Sequence, residues 1–115
     1  MNTKALEDLQ LAENRQMCEA LVASGDKSDV ARKVVHKLEF ISEYKKADLV
    51  EELEEKSFTI NESFVTEEGY NGLLFECEDK VDIETIETLT LELIPLLDEH
   101  DARYGGWTTE SVNVI

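Results

Sequence analysis

Apolar and polar positions repeat along the chain with two different periods, and the changes of period predict seven elements. Apolar or small side chains recur every three or four residues over 3–23, over 44–56 and from Asp82 onward, which is helical spacing. Alternation at every second position predicts four strands, at about residues 33–41, 58–65, 73–78 and 102–109. The predicted order is therefore α-β-α-β-β-α-β.

Each predicted helix carries one apolar stripe and has recognisable ends. Gly25 is a natural stop for the first helix, Ser42 can cap the second and Asp82 can cap the third. Pro95 should kink or shorten the third helix near its end. The stripes comprise Leu6, Leu9, Ala12, Met17, Ala20 and Leu21 in the first helix, Ala47, Leu49, Val50 and Leu53 in the second, and Ile83, Ile86, Leu89, Leu93, Ile94 and Leu97 in the third.

After the first helix, the order of elements is βαββαβ, that of a ferredoxin-like sandwich with helices on one face of an antiparallel sheet. The turn formers of Glu67–Gly72 are expected to join two strands as a hairpin. We therefore predict one α+β domain over residues 1–115, a ferredoxin-like α/β sandwich with an extra N-terminal helix. Val35, Ile41 and Leu74 would project from the other sheet face, which the extra helix is a candidate to cover in part.

The net charge of the protein limits the kinds of molecule that it can bind. The 115 residues include 27 acidic and 11 basic side chains, a formal net charge of −16, and residues 58–115 account for −12 of it. Phosphate backbones and anionic membranes repel such a protein, whereas basic protein surfaces attract it. We therefore expect no direct binding to nucleic acid and no binding to membranes. Solubility alone is the competing interpretation of this acidity.

Residues of the types that carry catalysis or metal binding are too few and too scattered to form a site. The two cysteines, Cys18 and Cys77, and the two histidines, His36 and His100, are not at metal-ligand spacing. Cys77 and His36 each share a strand face with apolar residues, which is typical of core positions. Glycine-rich phosphate-binding loops are also absent from the sequence. We predict that the protein is not an enzyme and binds no cofactor and no metal.

The sequence favours a cytoplasmic location. The N-terminus has no apolar run and soon turns acidic, so it does not have the pattern of a secretory signal. No stretch approaches the roughly 18 uninterrupted apolar residues of a membrane span. Two buried free thiols fit a reducing compartment.

The segment Tyr104-Gly105-Gly106-Trp107 places two large aromatic residues around two glycines near the end of the chain. One interpretation is a tight bend into the last strand, with Trp107 packed on the core, because lone tryptophans are highly buried on average. The other interpretation is an aromatic anchor for a partner, since Trp and Tyr are enriched at interfaces. The sequence leaves both open.

Several segments together match one known family. They are the acidic N-terminal helix, the link 25–29, His36 and Leu38 in the first strand, the hairpin, and the tail 104–107. On these segments the sequence resembles the family of regulator of ribonuclease E activity B, protein inhibitors of that endoribonuclease. The family has Tyr-Asp-Gly-Trp-Gly near its end, so Gly105 and Thr108 depart from its pattern.

The resemblance implies a non-catalytic, cytoplasmic protein that binds ribonuclease E and inhibits or modulates its cleavage of RNA. Acidic charge fits such a partner, or another basic protein surface, by complementarity. A ferredoxin-like small-molecule-sensing module, or another protein-binding module, is the alternative, because fold does not settle function. The side chains that we expect to bind the partner are Glu51, Glu52, Glu54, Glu55, Glu67, Glu68, Tyr104 and Trp107.

Overall fold

The computed structural model describes residues 4–27 and 29–110 of the chain. Within these residues three helices and four strands follow one another in the predicted order. The helices are α1, Lys4–Ala23; α2, Lys46–Glu55; and α3, Ile83–Glu99. The strands are β1, Arg32–Phe40; β2, Thr59–Val65; β3, Asn71–Asp79; and β4, Ala102–Thr109. Thr3 of the first predicted helix and Ser28 of the predicted link lie outside the described residues.

The four described strands form one antiparallel sheet in the order β2-β3-β1-β4. β1 is central, and its register with β3 sets Val34 opposite Cys77 and Leu38 opposite Leu73. β2 and β3 pair on either side of a turn in which the amide of Thr66 donates to the carbonyl of Tyr70. The predicted hairpin and the α+β class are therefore confirmed.

Helices α2 and α3 pack on one face of this sheet and bury the larger of two apolar clusters, which we call the α2 core. Asp82 caps α3 as predicted, since its carboxylate accepts a 2.8 Å hydrogen bond from the amide of Thr85. The expectation that Ser42 caps α2 was wrong, because α2 begins after Lys45 without a side-chain cap. The α2 core comprises Leu38, Phe40, Leu49, Leu53, Phe58, Leu73, Phe75, Leu93, Leu97 and Ala102.

Helix α1 packs mainly against α3 and helps to bury a second, smaller cluster, the α1 core. The α1 core comprises Cys18, Val34, Val81, Ile86 and Trp107. The predicted stripe of α1 was wrong at four of its six positions: Leu6, Leu9, Ala12 and Ala20 are exposed. The buried positions of α1 include the polar residues Gln10 and Asn14 instead. The rotation of α1 about its axis therefore follows polar contacts rather than the leucines. Ala47 of α2 is likewise exposed instead of buried.

A bulge in β4 decides where Trp107 points. Leu38 pairs with Tyr104 and His36 with Trp107, so two residues of β4 stand opposite Lys37 alone. Gly106 takes a φ of +103°, a backbone conformation that glycine adopts without a Cβ penalty. Because side chains alternate between sheet faces, the extra residue returns Trp107 to the helix-covered face. Trp107 is 4% exposed as a result.

A second register shift, between Ile60 and Glu62, turns Phe64 to the opposite sheet face. Its ring lies against Gly72, where a Cβ would collide with it. The ammonium of Lys37 stands 5.2 Å from the centroid of the Phe64 ring. Phe58, Ile60 and Phe64 alternate in the sequence, which predicts one shared face; this prediction is wrong for Phe64, because the shift reverses the alternation.

Candidate partner-binding surface

Helix α2 carries the acidic residues predicted to bind a partner. Leu49 and Leu53 are fully buried one turn apart and fix the orientation of the helix on the sheet. Val50 packs against the same core, whereas the glutamates turn away from it: Glu51, Glu54 and Glu55 are exposed and Glu52 is partly exposed. We call the four carboxylates, Glu51, Glu52, Glu54 and Glu55, the α2 acidic face.

The α2 acidic face reaches the C-terminal end of α3. The carboxylate of Glu52 lies 3.7 Å from Nε2 of His100, the residue that caps the C-terminus of α3. The ammonium of Lys45, at the start of α2, donates a 3.0 Å hydrogen bond to the carbonyl of Glu99. The C-terminal end of α3 is therefore in contact with α2.

The two acidic residues of the hairpin turn lie apart from the α2 acidic face. Glu67 and Glu68 are exposed in the turn, next to Gly69 with a φ of +91°. The side chain of Asn71 donates a 2.8 Å hydrogen bond to Glu43, which places the turn near the start of α2. The α2 acidic face occupies the other half of that helix, up to about 15 Å away at 1.5 Å per residue. The predicted acidic residues thus form two groups.

The aromatic pair of the tail is built into the interior. The indole Nε1 of Trp107 donates a 2.7 Å hydrogen bond to the side-chain oxygen of Asn14 in α1. The hydroxyl of Tyr104 shares a 2.7 Å hydrogen bond with Nδ1 of His36. Neither ring projects into solvent as a free anchor, and both join β4 to other elements. The geometry is that of the core interpretation of this segment.

Burial sets the ionisation of the groups around Tyr104. His36 is fully buried and stacks on Phe75, and burial lowers the pKa of His36 to about 4. Burial, followed by the nearby Asp79 and Glu76, raises the pKa of the Cys77 thiol to about 11. Burial likewise raises the pKa of Tyr104. All three are neutral at physiological pH, as expected of core groups rather than of an acid, a base or a nucleophile.

Asn14 is the residue of this region that sequence reasoning missed. It is fully buried, and its oxygen accepts from both Trp107 Nε1 and Gln10 Nε2 while its amide nitrogen donates to Thr90 Oγ1 at 2.9 Å. One side chain thus connects α1, α3 and β4. The available signal was the four-residue spacing of Gln10, Asn14 and Cys18, a helical line on which two of three residues are polar.

Arg32 and Asp26 form a second buried polar contact that the sequence did not reveal. The guanidinium donates to the Asp26 carboxylate at 2.5 Å and to the carbonyl of Glu110 at 3.1 Å. It also donates to the carbonyls of Lys27 and Val30. Arg32 therefore ties the link after α1 to the end of β4. Its donors are occupied within the fold, which makes its role structural.

Comparison with protein-family models identifies the family of this acidic α+β protein. A family model described as regulator of ribonuclease activity B matches residues 11–109. The chain belongs to that family. The match runs from the first half of α1 to the last residue of β4, so it contains the α2 acidic face, Asn14 and the tail aromatics. No curated protein sequence matches the chain.

The family match confirms the family that the sequence resembles and indicates that the protein regulates a ribonuclease. Proteins of the regulator of ribonuclease activity B family regulate a ribonuclease and are not themselves catalysts, so a ribonuclease is the implied partner. Within the described ranges, no helix is both long and apolar enough to cross a membrane.

Proposed function

We propose that this chain binds ribonuclease E in the cytoplasm and restrains its cleavage of RNA, docking through the α2 acidic face. The observation that carries the proposal is the clustering of four carboxylates on the solvent side of one helix in a ribonuclease regulator. An RNA-cleaving enzyme needs basic segments to hold its substrate, and an acidic surface complements such segments. Occupying them would lower cleavage without any chemistry by the regulator.

The position of the carboxylates along α2 strengthens this proposal. Glu51, Glu52, Glu54 and Glu55 lie in the second half of the helix, where the macrodipole already places partial negative charge, and the last turn holds no basic residue. Carboxylates there repel one another and the helix end, which costs helix stability. A basic partner relieves that repulsion, so the arrangement favours complex formation over stability of the free chain.

We assign supporting roles to the remaining predicted residues. Glu67 and Glu68, near the start of α2, would extend the negative field of the α2 acidic face. They would act on the association rate more than on affinity. Tyr104 and Trp107 would act on binding through the fold, because their polar atoms are engaged with His36 and Asn14. A direct contact between either ring and the partner remains a prediction.

We also propose that the fold is ferredoxin-like. The strand order β2-β3-β1-β4 leaves β1 and β2, joined through α2, parallel with β3 between them. β3 and β4, joined through α3, are parallel with β1 between them. Two such interleaved crossovers are what the split βαββαβ unit requires. The arrangement supports the view that the chain forms one domain, with α1 added to it.

The test is the association of the chain with purified ribonuclease E, measured as a rate at low and at physiological salt. Replacing Glu51, Glu52, Glu54 and Glu55 by lysine should slow association at low salt by about tenfold or more and flatten its salt dependence. Inhibition of RNA cleavage should weaken in parallel. Circular dichroism should show an unchanged fold, since none of the four side chains is buried.

A control with the same change of charge separates a docking face from net charge. Glu19, Asp29, Glu84 and Glu110 are exposed on other parts of the surface, and their replacement by lysine should slow association less. Equal slowing by the two variants would contradict docking at α2. A wild-type chain that neither binds ribonuclease E nor changes its cleavage rate would refute the proposed function.

A further inference from the structure

A groove of about 190 Å³ separates the first half of α1 from the C-terminal end of α3 and the start of β4. Its apolar lining includes Leu6 and Leu9 of α1, Ile94 of α3 and Ile41, which follows β1. Leu9 is 60% exposed, Ile41 56% and Leu6 42%. Three large aliphatic side chains are thus left open to water along one depression of a strongly acidic surface.

The exposure of Leu9 follows from the hydrogen bonds of Asn14. Those bonds fix the rotation of α1 by directing Gln10, Asn14 and Cys18 toward α3 and β4. Successive residues of a helix are about 100° apart, so this rotation turns Leu9 away from the protein interior. A helix held only by apolar burial would instead direct its leucines inward. The fold therefore leaves an apolar strip exposed, although another rotation of α1 would bury its leucines.

The charges around the groove indicate the chemistry of an occupant. Glu13 and Asp98 line it together with one cation, Arg103. Asp98 belongs to the α3 end that borders the α2 acidic face through the contact between His100 and Glu52. The groove and the α2 acidic face thus both adjoin the C-terminal end of α3. The combination of apolar floor and acidic border fits a segment that carries both aliphatic or aromatic and basic side chains.

We propose that this groove binds apolar side chains of a basic segment of the ribonuclease, while the α2 acidic face holds the neighbouring cations. The inference rests on the proposed function and adds to it the source of short-range affinity. Buried apolar anchors supply most of the binding energy of an interface, whereas exposed charges set encounter and salt dependence. Leu6 and Leu9 precede the residues matched by the family, so part of this site is contributed by a segment outside the match.

The test is the equilibrium affinity of purified ribonuclease E for the double variant Leu6→Gln, Leu9→Gln. Glutamine keeps helix propensity and adds no charge, so α1 and the electrostatic field should be preserved. Affinity should fall by about tenfold or more through faster dissociation, with the association rate and its salt dependence unchanged. Val22→Gln is the matched control, because Val22 is 58% exposed on the same helix but does not line the groove.

The outcomes separate this inference from the proposed function. Wild-type affinity in the double variant, with circular dichroism and melting temperature unchanged, would overturn the groove as a binding site and leave docking at α2 intact. A wild-type chain that does not bind the ribonuclease would overturn both. Sedimentation of the chain alone is the third measurement. A wild-type dimer that the double variant converts to monomers would identify a second copy as the occupant and overturn the proposal.

Discussion

The α2 core and the α1 core hold their helices by different means. The α2 core consists of ten buried apolar residues from α2, α3, the strands and the segment before β2, and the buried side chains of α2, Leu49 and Leu53, are both apolar. The α1 core has five, and α1 contributes only Cys18 to them; its other buried positions, Gln10 and Asn14, are polar. Apolar contact is non-directional, whereas hydrogen bonds fix orientation. The orientation of the α2 acidic face should therefore tolerate changes in the apolar residues beneath it. The groove beside α1 depends instead on hydrogen bonds with a fixed geometry.

The largest effect should come from removing the side chain on which the α1 core depends. Trp107→Ala should lower the free energy of unfolding by about 3–5 kcal/mol, because it leaves a cavity and removes the donor to Asn14. Urea unfolding measures the loss. Affinity of the folded fraction for ribonuclease E should change little if Trp107 acts only through the fold. A loss of about 2 kcal/mol of binding at unchanged stability would identify Trp107 as a direct contact instead.

His36 lies where the two cores meet, and its titration should make stability depend on pH. Its pKa is about 4 in the folded chain, below the ordinary value of 6.5, so the unfolded chain binds more protons between these values. Stability should therefore be greatest above pH 6.5 and fall as the pH is lowered, by about 2 kcal/mol down to pH 5. His36→Gln should remove this slope in urea unfolding measured at several pH values. An equal slope in both proteins would show that carboxylates alone cause it.

Asn14→Ala tests whether α1 is held to the rest of the protein by hydrogen bonds, in contrast to α2, whose buried side chains are apolar. It leaves the indole N–H of Trp107 buried without its acceptor, which should cost about 2 kcal/mol of unfolding free energy. Hydrogen exchange should accelerate in α1 while α2 keeps its protection. Gln16→Ala, at an exposed position of the same helix, should stay within about 0.5 kcal/mol of the wild type. Uniform acceleration in both helices would mean that the two cores unfold as one unit.

The smallest effect should come from the bulge glycine. Gly106→Ala places a Cβ at a φ of +103° and should cost about 1 kcal/mol. Gly69→Ala meets the same strain in the hairpin turn, also with open space around its Cβ, and serves as the control. The near-ultraviolet spectrum of Trp107 should change in the first variant and not in the second. Identical spectra would show that the bulge tolerates a side chain without moving Trp107.

Local periodicity determined the number, type and order of the described elements. β4 was predicted with its observed bounds, and the Asp82 cap and the paired strands of the hairpin followed from residues near one another in the chain. The exposure of the α2 carboxylates was likewise predictable, because a helix whose apolar stripe of Leu49, Val50 and Leu53 faces inward turns its other positions outward. These features depend on the spacing of side chains along one segment, which the sequence displays directly.

Tertiary structure alone decided which face Trp107 and Phe64 occupy and how α1 is rotated. A one-residue register shift reverses every later side chain of a strand, and nothing local in the sequence marks its position unambiguously. Two of the three partners of Asn14 are distant in the chain, Thr90 by 76 residues and Trp107 by 93. A buried amide needs all its partners at once, so its position follows from the assembled fold and then imposes the orientation of its own helix. The apolar groove beside Leu9 exists for that reason.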